Sequence, residues 1–335
     1  MTDKPFDVAA IGNAIVDVLA HADDSFLEAH GLPKGGMVLI DGAAADRLYD
    51  SMELGVECSG GSAANTAAGL ASLGGRAAYI GKVADDALGR VFRRDIGAIG
   101  VHYDTPPLNN GTTTARCLIL VTPDAQRTMN TYLGACVELR PEDIDPKIIR
   151  AAQVTYLEGY QWDAEHAKQA ILKAADIAAG AGRKVALSLS DSFCVARHRA
   201  EFRALLKNHV DILFANEAEI ISLYESTSFE ESLVAVREHC QVAALTRGAR
   251  GSVVVAGHDV HVIGAEPTVR VEDTTGAGDL YAAGFLYGYT RGLDLSVCAR
   301  IGGIAAAEII SHFGARPETG LAALVADALG AAVTA

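Results

Sequence analysis

Positive charge is scarce in this 335-residue sequence: 28 Lys and Arg stand against 42 Asp and Glu, a formal net charge of −14. Such an acidic chain is a poor match for a phosphate backbone, so a non-specific nucleic-acid partner is excluded as an expectation. Long apolar runs are also missing. No uncharged stretch reaches the ~18 apolar residues of a membrane-spanning helix, and no membrane partner is expected. The opening residues, MTDKPFDVAAIGNA, contain neither a basic n-region nor a long apolar segment, so no signal peptide is expected. The six cysteines (58, 117, 136, 194, 240 and 298) show no C-x-x-C spacing and no pairing with histidine in a zinc pattern. They read as reduced, buried thiols of a cytoplasmic protein. Internal repeats and low-complexity linkers are absent. So is a P-loop: Gly75–Lys82 (GRAAYIGK) comes near, but its glycine spacing is one too long and Val83 replaces the required Ser or Thr.

What is present is apolar residue, 50% by count, enough for one large core over residues 1–335. Short apolar runs at Phe6–Ile11, Ala77–Ile80, Val154–Leu157, Val185–Leu189, Ile212–Phe214 and Val242–Leu245 read as buried parallel strands. Amphipathic or Ala-rich stretches such as Ala164–Ala179 and Phe229–His239 read as helices between them. The alternation predicts an α/β sandwich with right-handed crossovers. Lys34–Asp41, Thr112–Val121 and Arg127–Leu133 look like strands without following helices. They form either a small projecting sheet or edge strands of the main one. The Ala-rich tail, Leu321–Ala335, reads as a fraying helix.

The most informative segment is Asp273-Thr-Thr-Gly-Ala-Gly-Asp279, which runs into an apolar helix. Gly276 and Gly278 permit positive φ and place no Cβ beside a bound group. The unpaired N–H groups and partial positive charge of a helix start make such a turn an anion cradle. Asp279 in that turn is either a helix cap or the group that orients and deprotonates an attacking hydroxyl. A second glycine turn, Gly60-Gly61, enters the small-residue helix SAANTAAGLASLG. There Asn65 is either a buried amide or a polyol ligand. The turns are too far apart in the chain to be one dinucleotide fingerprint.

Together these motifs resemble the ribokinase-like (PfkB) family of sugar and nucleoside kinases, from Gly12 to about Pro317. The D-T-x-G-A-G-D pattern matches without a gap, as does a Gly-Gly turn with an Asn four residues after Gly61. A family N-x-x-E motif matches Asn216–Glu219, and a T-x-G-x-x-G segment matches Thr246–Gly251 with Gly248 between. The resemblance implies a ribokinase-like three-layer α/β/α sandwich. It also implies a small β-sheet lid built from about 14–58 and 102–135. The implied activity is transfer of a phosphoryl group from ATP to an alcohol, with Mg2+.

The resemblance further assigns site residues. Asp279 is the implied base, and Gly276, Ala277 and Gly278 supply the anion hole. Asn216, Glu219, Thr246, Gly248 and Gly251 are implied at the nucleotide, with Glu219 near magnesium, mostly through water. Asp273, Thr275 and Ser311 fall where many family members bind K+. At the acceptor end, Asn13 and Asp17 follow the first strand. Asp17 lies within the apolar run Ala14–Ala20, where an unpaired carboxylate is costly. A ligand diol would account for it, with Gly61 and Asn65 opposite. Glu158 ends a strand and reads either as an acceptor ligand or as a surface acid. Arg127 reads either as a phosphate ligand on closure or as a lid salt bridge. The wording GNAIVD with GGSAANT looks most like adenosine kinases and their bacterial relatives, although Ala63-Ala64 stands where eukaryotic enzymes typically carry Thr-Gln. The expected acceptor is therefore adenosine or a related nucleoside, with a ribose, fructose or keto-deoxy sugar-acid kinase as the alternative. The chain is expected to act as a monomer or homodimer.

Overall fold

The computed structural model describes residues 6–53, 55–124, 126–268, 270–330 and 333. Strands β1 (Phe6–Ile11), β2 (Ile15–His21), β3 (Met37–Leu39), β4 (Val56–Gly60), β5 (Ala77–Ile80), β6 (Ala115–Val121) and β7 (Arg127–Tyr132) come from the first part of the chain. Strands β8 (Ala152–Glu158), β9 (Lys184–Ser188), β10 (Ile212–Asn216), β11 (Val242–Thr246), β12 (Ser252–Ala256) and β13 (Asp259–Ile263) follow. They form two sheets. The larger runs β13-β12-β11-β10-β9-β8-β1-β5. It is parallel from β5 to β11 and ends in an antiparallel hairpin of β12 and β13.

The apolar runs become interior strands because both of their faces are covered. Alternate residues go to opposite cores: Val8, Ala10, Val154 and Tyr156 to one, Ala9, Ile11, Leu157 and Leu187 to the other. The first core is roofed by helices Ser62–Ser72, Ala277–Thr290 and Leu295–Ile309, the second by Glu165–Gly180 and Ser192–His209. This is the expected three-layer sandwich. Small residues in the Ser62–Ser72 helix let it lie close to Ala277–Thr290. A Cβ at Gly69 would sit 2.5 Å from Leu280 and 2.8 Å from Ala283. That close approach brings the two glycine-turn helix starts together. Overpacking it with a larger side chain costs about 1–3 kcal/mol.

The smaller sheet runs β3-β7-β6-β2-β4, separate from the main one. The three stretches that broke the strand–helix alternation supply β3, β6 and β7, so they are not edge strands of the main sheet. Its other two strands come from segments without a strand assignment in the sequence reading. β2 is half-apolar in alternation, burying Val16, Val18 and Ala20 while Asp17 and Leu19 face the other way. Residues 102–114 lie outside this sheet, bridged to Ala78 and Ala84 near the main sheet's β5 edge. The C-terminal helix spans Leu321–Leu329, and residues 331, 332, 334 and 335 of the expected tail helix lie outside the described residues. Among the described residues no helix is long and apolar enough to cross a membrane.

Candidate active site

In the main sheet β1 has β8 on one side and β5 on the other, and the chain order switches there. The crevice beyond the carboxyl ends of such strands is where open α/β sheets bind ligands. Asn13 and Glu158 occupy it. Asn13 is buried and accepts a hydrogen bond through Oδ1 from Gln161 Nε2 at 2.9 Å. Glu158 is 1% exposed and accepts from the Ala63 N–H at 2.8 Å. It is therefore no surface acid. Burial raises its pKa to about 8, against the Ala63 hydrogen bond that lowers it. Much of it is a neutral acid at pH 7.

Two helix starts face this crevice. Gly276 takes φ +79° as the cap of helix Ala277–Thr290, a conformation that favours glycine. Asp279 lies in the helix's first turn, as the motif predicted. Both of its carboxylate oxygens are held by the other glycine-turn helix. Ser62 Oγ donates to Oδ1 at 2.6 Å and Asn65 Nδ2 to Oδ2 at 2.9 Å. Asn65 is thus turned to the carboxylate, while its own Oδ1 is buried without a hydrogen-bond partner. Burial raises the pKa of Asp279, and the Ser62 and Asn65 hydrogen bonds oppose that rise. At Gly278 a Cβ would meet nothing within 4 Å, so that side of the turn opens into space.

The smaller sheet brings a second carboxylate. In register, Leu39, Thr131, Cys117, Asp17 and Cys58 stand side by side on β3, β7, β6, β2 and β4. Asp17 rests so close on β4 that a Cβ at Gly60 would fall 2.3 Å from its Oδ2, which explains that glycine. Burial raises its pKa to about 6, Arg316 and Arg127 pull it down, and Asp279 pushes it up. The next row on the same face is Met37, Met129, Ile119, Leu19 and Val56, entirely apolar. Of these, Met37 and Val56 are 57% and 67% exposed, as is Leu39 at 66% in the Asp17 row.

Arg127, at the start of β7, is directed toward the loop before the Asp279 helix. It forms an ion pair with Asp273, donates to Thr275 Oγ1 at 3.3 Å and stacks over Phe313. Its Nε and Nη2 are buried with no hydrogen-bond partner. Two orphaned N–H groups beside a glycine anion cradle are suited to an oxyanion.

The remaining predicted residues divide. Asn216 and Thr246 are register neighbours on β10 and β11, and the Gly248–Gly251 turn follows. Asn216 and Glu219 build a capping box: Asn216 Oδ1 accepts from Glu219 N, and Glu219 accepts from Asn216 N at 2.9 Å and from Nδ2 at 2.5 Å. Glu219 is buried and its pKa is raised to about 7, chiefly by burial. Both its oxygens are engaged within the box. Asp273 accepts from Thr275 N and Oγ1 at 3.0 and 2.8 Å and from Gly314 N at 3.2 Å. Ser311 is exposed and its Oγ donates to the Glu308 carbonyl at 2.6 Å, while the neighbouring Ile310 carbonyl accepts from the Asp273 N–H at 3.4 Å. No cluster of three or more His, Cys, Asp or Glu suited to a metal occurs among the described residues.

Two site residues escaped the sequence reading. Ser62, which follows the Gly60-Gly61 turn, holds Asp279. Arg316, a lone cation between small residues and Pro317, projects into the site. It donates through Nη1 to the Ala64 carbonyl at 2.8 Å and through Nη2 to Ser59 Oγ at 2.9 Å. Nothing local in the sequence marks either one.

The comparisons with known proteins agree with this geometry. Residues 54–319 match the model of the pfkB family carbohydrate kinases. The crystal structure of adenosine kinase from Sinorhizobium meliloti is 53% identical with a TM-score of 0.89, covering 97% of this chain and 99% of that one. A probable sugar kinase from Rhizobium etli is 49% identical with a TM-score of 0.89 over the same shares. An ATP-dependent ribose-1-phosphate kinase of Halopiger xanaduensis is 33% identical over 69% of this chain and 73% of its own length. With the family model covering most of its length, the chain belongs to the pfkB family of carbohydrate kinases.

Proposed function

We propose that the chain transfers phosphate from ATP to the 5′-hydroxyl of adenosine or a related nucleoside. The observation that carries the acceptor class is the face of the smaller sheet. A carboxylate suited to a diol, Asp17, stands beside the apolar row Leu19, Ile119, Met129, Met37 and Val56. A bare sugar offers that row little apolar area, and its hydroxyls lose hydration against it. A ribose carrying a flat base gives it an apolar partner. The smaller sheet acts in this reading as the lid that covers the acceptor and excludes water.

Asp279 orients the acceptor hydroxyl and takes its proton, with Ser62 and Asn65 fixing the carboxylate. The N–H groups of Gly278 and Asp279 hold oxygens of the transferred group, with the free Nε and Nη2 of Arg127 opposite, while the Ala277 N–H donates to the Thr274 carbonyl at 3.2 Å. Asn65 Oδ1, buried and unpartnered, and Asp17 are the ribose ligands, flanked by Gly61 and Asn13. Glu158 holds the Ala63 N–H, and so the start of the Asn65 helix. Thr246, Gly248 and Gly251 line the nucleotide side next to Asn216. Bound ATP supplies the phosphoryl group and its Mg2+ neutralises phosphate charge. That ion would be held mostly by nucleotide oxygens and water, with Glu219, whose oxygens cap the helix at Asn216, nearby. A K+ ion beside Asp273 and Thr275 would take mostly backbone carbonyls, and Ser311 Oγ, which donates its proton to the Glu308 carbonyl, keeps its lone pairs.

The test is ATP consumption and calorimetry with adenosine, inosine, ribose and fructose. Turnover and binding of the nucleosides are expected. Binding of ribose or fructose without adenosine replaces this reading with that of a sugar kinase, the activity named for the Rhizobium etli relative.

A further inference from the structure

Arg316 makes no contact that a cap or a surface ion pair would explain. It lies beyond helix Leu295–Ile309, and its guanidinium bridges two separate bodies: the Ala64 carbonyl in the Asn65 helix and Ser59 Oγ on β4 of the smaller sheet. Ser59 is fixed in turn, donating through N and Oγ to Asp95 Oδ2 at 2.7 and 2.5 Å. Nε of Arg316 is buried without a hydrogen-bond partner. Among the described residues no carboxylate touches the guanidinium, yet Asp17, Asp95 and Asp279 all lie within its electrostatic reach. A buried charge held by neutral partners is costly unless a wider field requires it.

We propose that Arg316 is a positioning residue that keeps Asp17 and Asp279 ionised together while bolting the smaller sheet to the Asn65 helix. Resting on the roles proposed above, the inference adds the group that lets them coexist. Two carboxylates in one water-poor crevice repel, and one would otherwise take up a proton. The groups facing Asp17 are Cys58 on β4, Cys117 on β6, Arg127 on β7, Asp279 on the helix start and Arg316 on the C-terminal loop. Arg127 is already paired with Asp273. Arg316 is therefore the larger of the two cationic influences on Asp17, and burial together with Asp279 works against both.

The experiment is the pH profile of kcat/KM for whichever acceptor the parent enzyme turns over, so a sugar substrate serves if the nucleoside reading fails. Arg316→Gln keeps N–H donors but removes the charge. Its acid limb should move up by about one pH unit, a roughly tenfold loss on the acid side that largely recovers by high pH. Arg316→Lys keeps the charge, loses the bidentate fork and should keep the parent's limb. A folded Arg316→Gln enzyme with an unmoved limb, or a loss equal at every pH, overturns the proposal. If the Gln protein does not fold, the Lys protein decides: its limb must stay with the parent's, and an upward shift despite the retained charge overturns the assignment.

Discussion

Asn65 donates to Asp279 at 2.9 Å across 214 residues of sequence, and this bond joins the chain's two glycine-turn helices at their starts. Each helix start was legible as an anion or polyol site by itself. Their meeting follows from small residues such as Gly69, which let the helices approach until Ser62 and Asn65 both reach the carboxylate. Asp279 is thus held through both oxygens by the other helix, and a base fixed in this way needs little reorganisation.

Asp279→Asn removes the proton acceptor and leaves a nearly isosteric amide. We expect kcat to fall by ~10²–10⁴, the usual share of a positioned base. ATP and acceptor affinities measured by calorimetry should stay close to those of the parent. Full kcat in the Asn enzyme would take the residue out of the mechanism.

Gly278→Val separates the anion cradle from the fold. A Cβ there meets no protein atom within 4 Å, and valine is no poorer a helix former than the glycine it replaces. The melting temperature should hardly move. In the proposed function that space takes the transferred phosphate, so turnover should collapse. A folded valine enzyme with parental kcat would rule out the cradle at this turn.

Much of the main sheet was legible because parallel interior strands are apolar on both faces, as in Phe6–Ile11 and Val242–Thr246. The lid strands were only half legible. β4, Val-Glu-Cys-Ser-Gly, has no apolar pattern and is a strand because β2 pairs with it. In β2 the alternation around Asp17 passed as a plain apolar run. Arg316 and Ser62 left no local signal, since their roles arise from contacts across distant segments. Asn216 and Glu219 were legible as a pair. Their spacing also spells a capping box, and that is the contact the fold makes.

Asp17 should make acceptor binding pH-dependent. Its pKa is raised to about 6, so it is mostly ionised at pH 7.5 and mostly protonated at pH 5. A protonated acid accepts fewer hydroxyl hydrogen bonds. The acceptor KM should therefore rise as pH falls through about 6, with less effect on the KM for ATP. In Asp17→Asn the acceptor KM should be high and flat with pH. A parental KM profile in that variant would remove Asp17 from the acceptor site.

Glu158 gives a stability test free of turnover. Its folded pKa of about 8 lies above the ordinary glutamate value of 4.5, so the folded state binds the proton more tightly than the unfolded chain. By linkage, its stabilising contribution is fully present below about 4.5 and is lost as pH rises through about 8. Glu158→Gln keeps a carbonyl for the Ala63 N–H and cannot ionise. Relative to the parent, the Gln protein should gain stability at pH 9 and be nearly matched at pH 4.5, read as melting temperatures across that range. Because the side chain is buried against Gly12, where a Cβ would fall 2.1 Å from Oε2, the variant must keep the shape as well as lose the charge. Glu158→Ala fails that condition: it leaves the Ala63 N–H unpaired and should be destabilised at every pH, by about 1–3 kcal/mol. If the Gln protein shows the same pH dependence as the parent, Glu158 is ionised in the folded state and its place in a water-poor crevice is wrong.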